Sequence, residues 1–292
     1  MYKSELTRAM RWEIARRMAE DYLPEVNRRC KKVRVRDNFY TRYGKRALDI
    51  IISTIALAVA FPINLLIGIV TYFDVGRPIF FKQARLGKDG KLFTIIKFRN
   101  MRNTKDERGE LLPPSQRVTK FGRFVRKTSL DELLNFWSIL KGDMSLIGPR
   151  PLLPEHLTRF SDRHRQRLAV RPGLECPPRN DINHVWTWHE QFENDVWYVQ
   201  NVSFLTDCKM VLSLFKFALD RKSASARATV ARGIFTGYSV DGRAITLDEI
   251  PQAYVDKITQ EMETSKNMNV SNVKKQQVEI DVALVGQDAL DA

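Results

Sequence analysis

The sequence predicts an α+β, mostly helical domain embedded in a membrane from one side, with a re-entrant helix and interfacial amphipathic helices. Three observations carry that prediction. Ile50 to Phe73 carries no charge over a length that suits a bilayer. Basic residues flank it on both sides, and two short β-rich stretches behind it lead into a capped, helix-periodic stripe.

Residues 1–42 read as a basic amphipathic extension. Leu6, Met10, Ile14 and Met18 recur every fourth residue with Arg8, Arg11, Arg16 and Arg17 among them, and Pro24 is expected to end the helix. Arg28, Arg29, Lys31, Lys32, Arg34 and Arg36 follow. Two readings stay open: a solvated helix and linker, or a surface held by anionic lipid, where juxtamembrane Lys and Arg gain about 1 kcal/mol each. A signal peptide is not expected, because the apolar stretch starts late and lacks a small-residue cleavage site.

Residues 43–75 are the membrane helix and its lead-in. Pro62 lies at the centre, followed by Asn64, and a proline removes one backbone donor and clashes a turn back. Arg42, Lys45 and Arg46 precede the stretch; Arg77, Lys82, Arg85 and Lys88 follow it. Basic flanks prefer the cytoplasm, so a straight span would export one set. A helix that enters, breaks at Pro62 and returns keeps both sets inside.

Residues 76–219 carry the chemistry. Arg77–Gly90 reads as a strand and a Lys-Asp-Gly turn, and Leu92–Phe98 as a second strand, whose end is flanked by Lys97 and Arg99, cations equally suited to a phosphate contact and to a solvent-facing pair. Thr104–Gln116 is polar, contains Pro113-Pro114 and reads as a surface loop. Arg126–Pro151 is the organising stretch. Ser129 and Glu132 have capping-box spacing, Leu130, Leu133, Leu134, Trp137 and Leu140 form one stripe, and Gly142 suits a C-terminal cap. Asp131 and Glu132 would share the first turn, where a helix favours anions. The pair alone is weak evidence, since Leu247-Asp248-Glu249 repeats the tripeptide after Thr246. Context separates the copies. Arg123, Arg126 and Lys127 precede Asp131, and Gly148-Pro149-Arg150-Pro151 follows, presenting Arg150 from a stiff loop. Carboxylates ringed by cations suit Mg²⁺ and a phosphate.

A net charge of +14 and a pI near 9.8 favour anionic partners: nucleic acid, acidic lipid or phosphorylated substrates. Cys30, Cys176 and Cys208 are odd in number and scattered, with no Cys-x-x-Cys, so they suggest neither a disulfide framework nor a zinc site, and the active part is expected to face a reducing compartment. His184 and His189 read as loop residues. His184–Phe204 is rich in aromatics, equally suited to a membrane-interface belt and to a satellite cluster.

In order and spacing these residues resemble the bacterial sugar transferases that start glycan assembly on a polyprenyl phosphate, the monotopic phosphoglycosyl transferases. The resemblance runs from about Tyr43 to Leu219. It rests on Lys45-Arg46-Ala47-Leu48-Asp49 before a hydrophobic segment with a central proline, Gln83-x-Arg85-x-Gly87, and Lys97-Phe98-Arg99-Asn100-Met101. Thr119-Lys120-x-Gly122, Arg126, Asp131-Glu132-Leu133, Asn135, and Gly142-Asp143-Met144-Ser145 through Gly148-Pro149-Arg150-Pro151 continue it, and Trp197 to Leu219 resembles the family's C-terminal segment.

The resemblance implies that Asp131 is the nucleophile and Glu132, with Asp131, a Mg²⁺ ligand. Arg126 and Arg150 would contact the diphosphate and nucleotide, with Lys97, Arg85, Arg99 and Lys120 completing the anion-binding set. It further implies a uridine diphosphate (UDP) sugar donor, undecaprenyl phosphate as acceptor, membrane lipids as surroundings, and no nucleic acid, at the cytoplasmic face of the bacterial inner membrane. Self-association is left open. The product would begin a surface glycan such as a capsule, exopolysaccharide, O-antigen or glycoprotein glycan. The chain departs from the pattern after Arg171-Pro172-Gly173-Leu174: where the family has Thr or Ser, then Gly and Trp, it has Glu175-Cys176-Pro177-Pro178. Two rivals account for less. A basic membrane-anchored nucleic-acid binder explains the charge but not the Gly148–Pro151 turn beside an acidic pair, and an envelope scaffold explains the ends but not the core. Residues 220–292 read as an extension: a basic Arg221–Arg232 connection, a short amphipathic helix at Glu249–Thr264, and a polar, mobile tail from Ser265.

Overall fold

The computed structural model describes residues 3, 6–107, 109, 111–178, 186–219, 233–262 and 264. They fall into two units, Met1–Pro24 with Gly233–Ala292, and Glu25–Arg232. The boundary cuts helix α1, Arg8–Arg29. Pro24 lies inside α1 and does not end it. Beyond it Val26 is buried, and Glu25 pairs with Arg28 at 2.8 Å and Arg29 at 2.7 Å, so the next turn is held although the proline gives up a backbone bond.

A wide turn at Tyr40–Gly44 runs directly into α2, Lys45–Val75. By length and composition this helix can cross a membrane. Its surface divides sharply. Ser53, Ala60, Ile67 and Thr71 are buried, whereas Ile51, Ile55, Val59, Phe61, Leu66 and Phe73 are exposed. A soluble protein rarely exposes a continuous apolar surface of this size. Pro62 stands within the helix, which continues through it.

Both ends of α2 are fastened to the second unit. Near the start, Arg46 donates to the carbonyls of Ile139 and Leu140 at 2.6 and 2.7 Å, and buried Asp49 accepts from the Ser145 hydroxyl and the Leu146 amide, each at 3.0 Å. At the far end, Asp74 accepts from the Thr119 hydroxyl, and Arg99 donates to the carbonyls of Val75, Gly76 and Arg77.

Strands β1 (Phe80–Leu86) and β2 (Leu92–Phe98) form the expected antiparallel hairpin around Lys88–Gly90. The polar stretch after it is partly ordered, with an isolated Lys105–Leu111 bridge and a short α3 at Pro114–Arg117. Helix α4 (Lys120–Lys127), α5 (Asn135–Lys141) and strand β3 (Ser145–Ile147) follow, then α6 (Asp162–Arg165), β4 (Gly173–Glu175), α7 (Trp188–Asn201) and α8 (Phe204–Leu219). β3 and β4 pair in parallel.

The apolar contacts show how these pieces hold the hairpin. Ile67 of α2 packs with Phe98 and Val125, while Ile95 packs with Ile139 and Met144. In α7, Phe192 and Tyr198 are fully buried, so these aromatics serve the core and not an interface belt. Tyr198 packs with Ile147, Cys176, Val202 and Met210, and its hydroxyl donates to Asp207 at 2.7 Å. Tyr40 and Lys45 donate to the other oxygen of Asp207 at 2.6 and 2.5 Å, tying the base of α2 to α8.

In the first unit, β5 (Phe235–Tyr238) and β6 (Ala244–Thr246) form an antiparallel pair, followed by the turn Leu247–Glu249 and helix α9 over 252–262. Leu6, Ile14 and Met18 share a buried core with Ile245, Ile250, Val255 and Ile258. The stripe that reads in sequence as solvated or lipid-facing is therefore core. The basic connection at Arg221–Arg232, the tail from Ser265 and His184 lie outside the described residues.

Candidate active site

The expected helix from Ser129 does not form there. Ser129 adopts a left-handed conformation (φ 56°, ψ 20°) and its side chain makes no capping bond. Leu130–Glu132 is a single 3₁₀ turn, and α5 begins only at Asn135. The cause is visible in the carboxylate: Glu132 does not reach back to Ser129 because two cations hold it. Its Oε1 accepts from Lys97 Nζ at 2.5 Å and from Arg150 Nη2 at 2.7 Å. Gly142 does end α5, in the left-handed conformation (φ 100°) that glycine tolerates.

Each cation is placed by its element. Lys97 stands near the end of β2, opposite Phe81 in the hairpin register. Arg150 leaves the loop after β3, and that loop is pinned by backbone: Gly148 N donates to Glu175 O and Gly173 N to Pro149 O, both at 3.1 Å. The approach requires glycine on both sides, since a Cβ on Gly173 would lie 2.2 Å from the Gly148 nitrogen. Below the loop, Arg167 donates to the Arg150 carbonyl at 2.9 Å. Arg167 is itself paired with Asp195 at 2.8 Å, with both side chains almost fully buried and the rings of Phe160 and Phe192 against the guanidinium.

Asp131 is 7% exposed. Burial pushes its pKa up and the neighbouring Glu132 charge adds to this, while Lys97 and Arg126 oppose it. Among the described residues its side-chain contact is the Asn100 amide, at 3.5 Å. Burial also works against the Glu132 charge, but Arg150 and Lys97 outweigh it and hold that pKa below the ordinary carboxylate value. Two adjacent carboxylates are thus driven apart: one is firmly ionised and the other is poorly compensated. Paired carboxylates whose environments push their pKa values apart are a recurring feature of sites of chemistry.

The structure brings Lys97, Asp131, Glu132 and Arg150 together. Arg85 adjoins them, donating to the Pro151 carbonyl at 3.2 Å and to Gln83 at 2.6 Å, and Arg126 acts on Asp131 through space from an exposed position in α4. Arg85's pKa is lowered by burial and by the neighbouring Arg150 charge, against the pull of Glu132. Lys120 is exposed at the first residue of α4. Arg99 is placed elsewhere, at the end of α2, where its guanidinium serves carbonyls whose helical partners have run out.

Four participants escape the sequence alone. Asn100 lies within Lys97-Phe98-Arg99-Asn100-Met101, where nothing local marks it as a partner of Asp131. Glu175 shows only as a departure from the family pattern, yet its Oε2 accepts from Arg150 Nη1 at 3.0 Å. Arg167 with Asp195 leaves no local signal, because the pair joins residues 28 positions apart.

Among the described residues no group of three His, Cys, Asp or Glu converges as a ready-made metal cage. Magnesium needs fewer, since phosphate oxygens and water complete its octahedron around one or two carboxylates. The residues fit that demand: Asp131 is buried with little compensation beside Glu132, and both are carboxylate oxygen donors.

The model of the bacterial sugar transferase family matches residues 40–221. An uncharacterized sugar transferase, EpsL, of Bacillus subtilis is 38% identical over 193 residues, covering 66% of this chain and 96% of its own length. The undecaprenyl-phosphate galactose phosphotransferase of Salmonella typhimurium is 34% identical over 205 residues, covering 63% of this chain and 42% of its own. The UDP-glucose:undecaprenyl-phosphate glucose-1-phosphate transferase of Escherichia coli is 33% identical over 190 residues, 60% of this chain and 40% of its own. The chain thus spans nearly all of the first relative and about two fifths of the other two.

Proposed function

The chain belongs to the bacterial sugar transferase family, and on that premise we propose that it transfers a sugar 1-phosphate from a UDP-sugar to undecaprenyl phosphate, releasing uridine monophosphate (UMP). One observation carries the reading furthest: the buried, poorly compensated carboxylate of Asp131 stands beside Glu132, which Lys97 and Arg150 hold ionised. A carboxylate nucleophile divides one transfer between anions into two easier ones.

In the first step an oxygen of Asp131 forms a bond to the β-phosphorus of the donor. The bond from that phosphorus to the bridging oxygen breaks, and UMP leaves with the electron pair. Lys97, Arg150 and Arg126 stabilise charge on the phosphates, where fixed cations in a poorly solvated site act most strongly. In the second step an oxygen of the lipid phosphate attacks the same phosphorus and returns the Asp131 carboxylate. Magnesium, held by Glu132 with Asp131, would neutralise charge on the donor diphosphate.

The acceptor is membrane-bound, and α2 is read as the device that meets it. A straight helix of 31 residues would be about 46 Å long, well beyond a hydrocarbon core of about 30 Å. A straight crossing would leave its ends on opposite sides. That both ends are fastened to one unit supports a helix that bends within the membrane, its helical run unbroken at Pro62, and returns to the cytoplasmic face. Cysteines introduced at Tyr43 and Lys88 in a cysteine-free variant should then both resist an impermeant external thiol reagent; labelling of one alone would establish a true span.

The deciding assay for the reaction is a panel of UDP-sugars with undecaprenyl phosphate and Mg²⁺, scored for UMP release. Release that depends on the lipid and on one sugar supports the reading, and no release with any sugar refutes it. The glycan begun on the lipid is a capsule, exopolysaccharide, O-antigen or protein-linked chain.

A further inference from the structure

Arg150, read above as a cation that stabilises the donor phosphates, has its planar fork already engaged. Nη2 donates to Glu132 at 2.7 Å and Nη1 to Glu175 at 3.0 Å. The two carboxylates differ in what else they do. Glu132 also holds Lys97, and its side chain is 23% exposed, whereas Glu175 is 36% exposed beside an Arg150 that is itself 43% exposed. Of the two carboxylates that hold Arg150, Glu175 is the more exposed and pairs with no second cation among these contacts, so it is the one an anion from solvent displaces more readily.

Sheet register puts Glu175 beside Arg150. It pairs with Ile147 in the parallel β3–β4 ladder, and its carbonyl accepts from Gly148 N at 3.1 Å. Ile147 and Gly148 begin the loop that carries Arg150, so acid and base project from adjacent, mutually hydrogen-bonded backbones. The ladder fixes the two backbones side by side, so the carboxylate meets or leaves Arg150 by side-chain rotation alone. Guanidinium binds phosphate through the same kind of parallel N–H donors it offers a carboxylate, so Glu175 takes up donor capacity and charge that a phosphate at Arg150 would otherwise use.

We propose that Glu175 is a built-in competitor for the donor phosphate: it holds Nη1 of Arg150, is displaced when the diphosphate binds, and so sets how tightly the site holds its donor. Weak donor binding has a use in a two-step transfer. Binding energy shared equally by ground state and transition state lowers KM without raising kcat, so a competitor for the ground-state anion sacrifices little rate at high donor concentration. Glu175 is thus an affinity-setting residue, distinct from the residues that meet the reacting atoms.

The inference rests on the donor-site reading of Arg150, and its test reads binding separately from turnover. Inorganic pyrophosphate is titrated calorimetrically into the full chain in detergent, as wild type, Glu175→Gln, Arg150→Gln and the double variant. Removing a partly exposed competing ion pair should tighten pyrophosphate about fivefold in Glu175→Gln. The gain should vanish in the Arg150→Gln background, which a general change of site charge would not produce. Glu175→Thr is the second variant, with the same expectation if the glutamine form folds poorly. In transfer assays the donor KM should fall with kcat nearly unchanged, whereas a structural role would lower kcat. Equal pyrophosphate affinity in wild type and both Glu175 variants, absent binding included, overturns the proposal while leaving the transfer reaction to its own assay. A gain that persists without Arg150 also overturns it. Unchanged affinity in Arg150→Gln removes Arg150 from the anion site and takes the proposal with it.

Discussion

Leu130-Asp131-Glu132 and Leu247-Asp248-Glu249 are the same tripeptide in the same local shape, each a single 3₁₀ turn, and they come to opposite ends. In the second, Thr246 is extended (φ −93°, ψ 172°), and a full capping box closes, with the Glu249 carboxylate accepting from the Thr246 amide and hydroxyl at 2.8 and 2.9 Å. Asp248 and Glu249 are exposed. In the first, Ser129 is left-handed, no cap forms, and Glu132 is taken by Lys97 and Arg150 while Asp131 is buried. The lesson is about what a capping signal competes against. A cap contributes about 1 kcal/mol. Two charge-assisted contacts to a partly buried carboxylate contribute more, and take the glutamate away from its own backbone.

The comparison can be broken most forcefully at the aspartates. Given donor labelled in the sugar and no acceptor, wild type should retain label that hydroxylamine removes. Asp131→Asn should retain none and lose transfer by roughly 10³-fold or more, as expected for a lost nucleophile. Asp248→Asn should match wild type in both assays. If wild type never carries label and its kinetics require a ternary complex, the lipid attacks directly and the two aspartates differ less than proposed.

Arg150→Lys comes next. It keeps the charge but not the fork that reaches Glu132 and Glu175 together, so transfer should fall roughly tenfold or more. An unchanged rate would remove Arg150 from the site. The pH dependence sharpens the same contrast. Asp131 must be ionised to attack, and burial raises its pKa, so transfer should decline on acidification at a pH above that of an ordinary aspartate. The stability sign is opposite. A carboxylate with a raised native pKa favours folding when protonated, and that contribution is lost as pH rises through the native value. Asp131→Asn should therefore melt higher than wild type at neutral pH and converge with it in acid.

Much of this was legible in sequence, and the failures have a common form. The β1–β2 hairpin, the apolar helix and the Gly142 cap follow from short-range pattern: alternation around a Lys-Asp-Gly turn, uninterrupted apolarity, a glycine after a stripe. Lys97, Asp131, Glu132 and Arg150 emerged as a group because their motifs could be read in order. What stayed hidden depended on partners far along the chain. Arg99 looks like a phosphate ligand until the end of α2 is beside it. The stripe of α1 looks free until Ile245 and Val255 cover it. Ser129 reads as a cap until its glutamate is claimed from β2 and the Arg150 loop.

Smaller effects test the turns themselves. Thr246→Ala should cost the first unit about 1 kcal/mol in a denaturation experiment and leave transfer untouched, since it removes a functioning cap. Ser129→Ala should show no such capping loss, and Ser129→Gly should stabilise by about 0.5 kcal/mol, because glycine accepts a positive φ that serine holds at a cost. A capping loss at Ser129 equal to that at Thr246 would mean the two turns are alike in solution.

The core that joins Leu6, Ile14 and Met18 to Ile245, Ile250, Val255 and Ile258 sets an order of events during synthesis. The first of these residues leave the ribosome more than two hundred positions ahead of their partners. At roughly 5–20 residues per second, the early stripe waits on the order of 10–50 s before it can be covered. Throughout that interval the nascent chain carries an uncovered apolar helix face next to a membrane-seeking segment. A translation product that stops before Ile245 keeps that face uncovered for good, which makes it a natural substrate for chaperones and proteases.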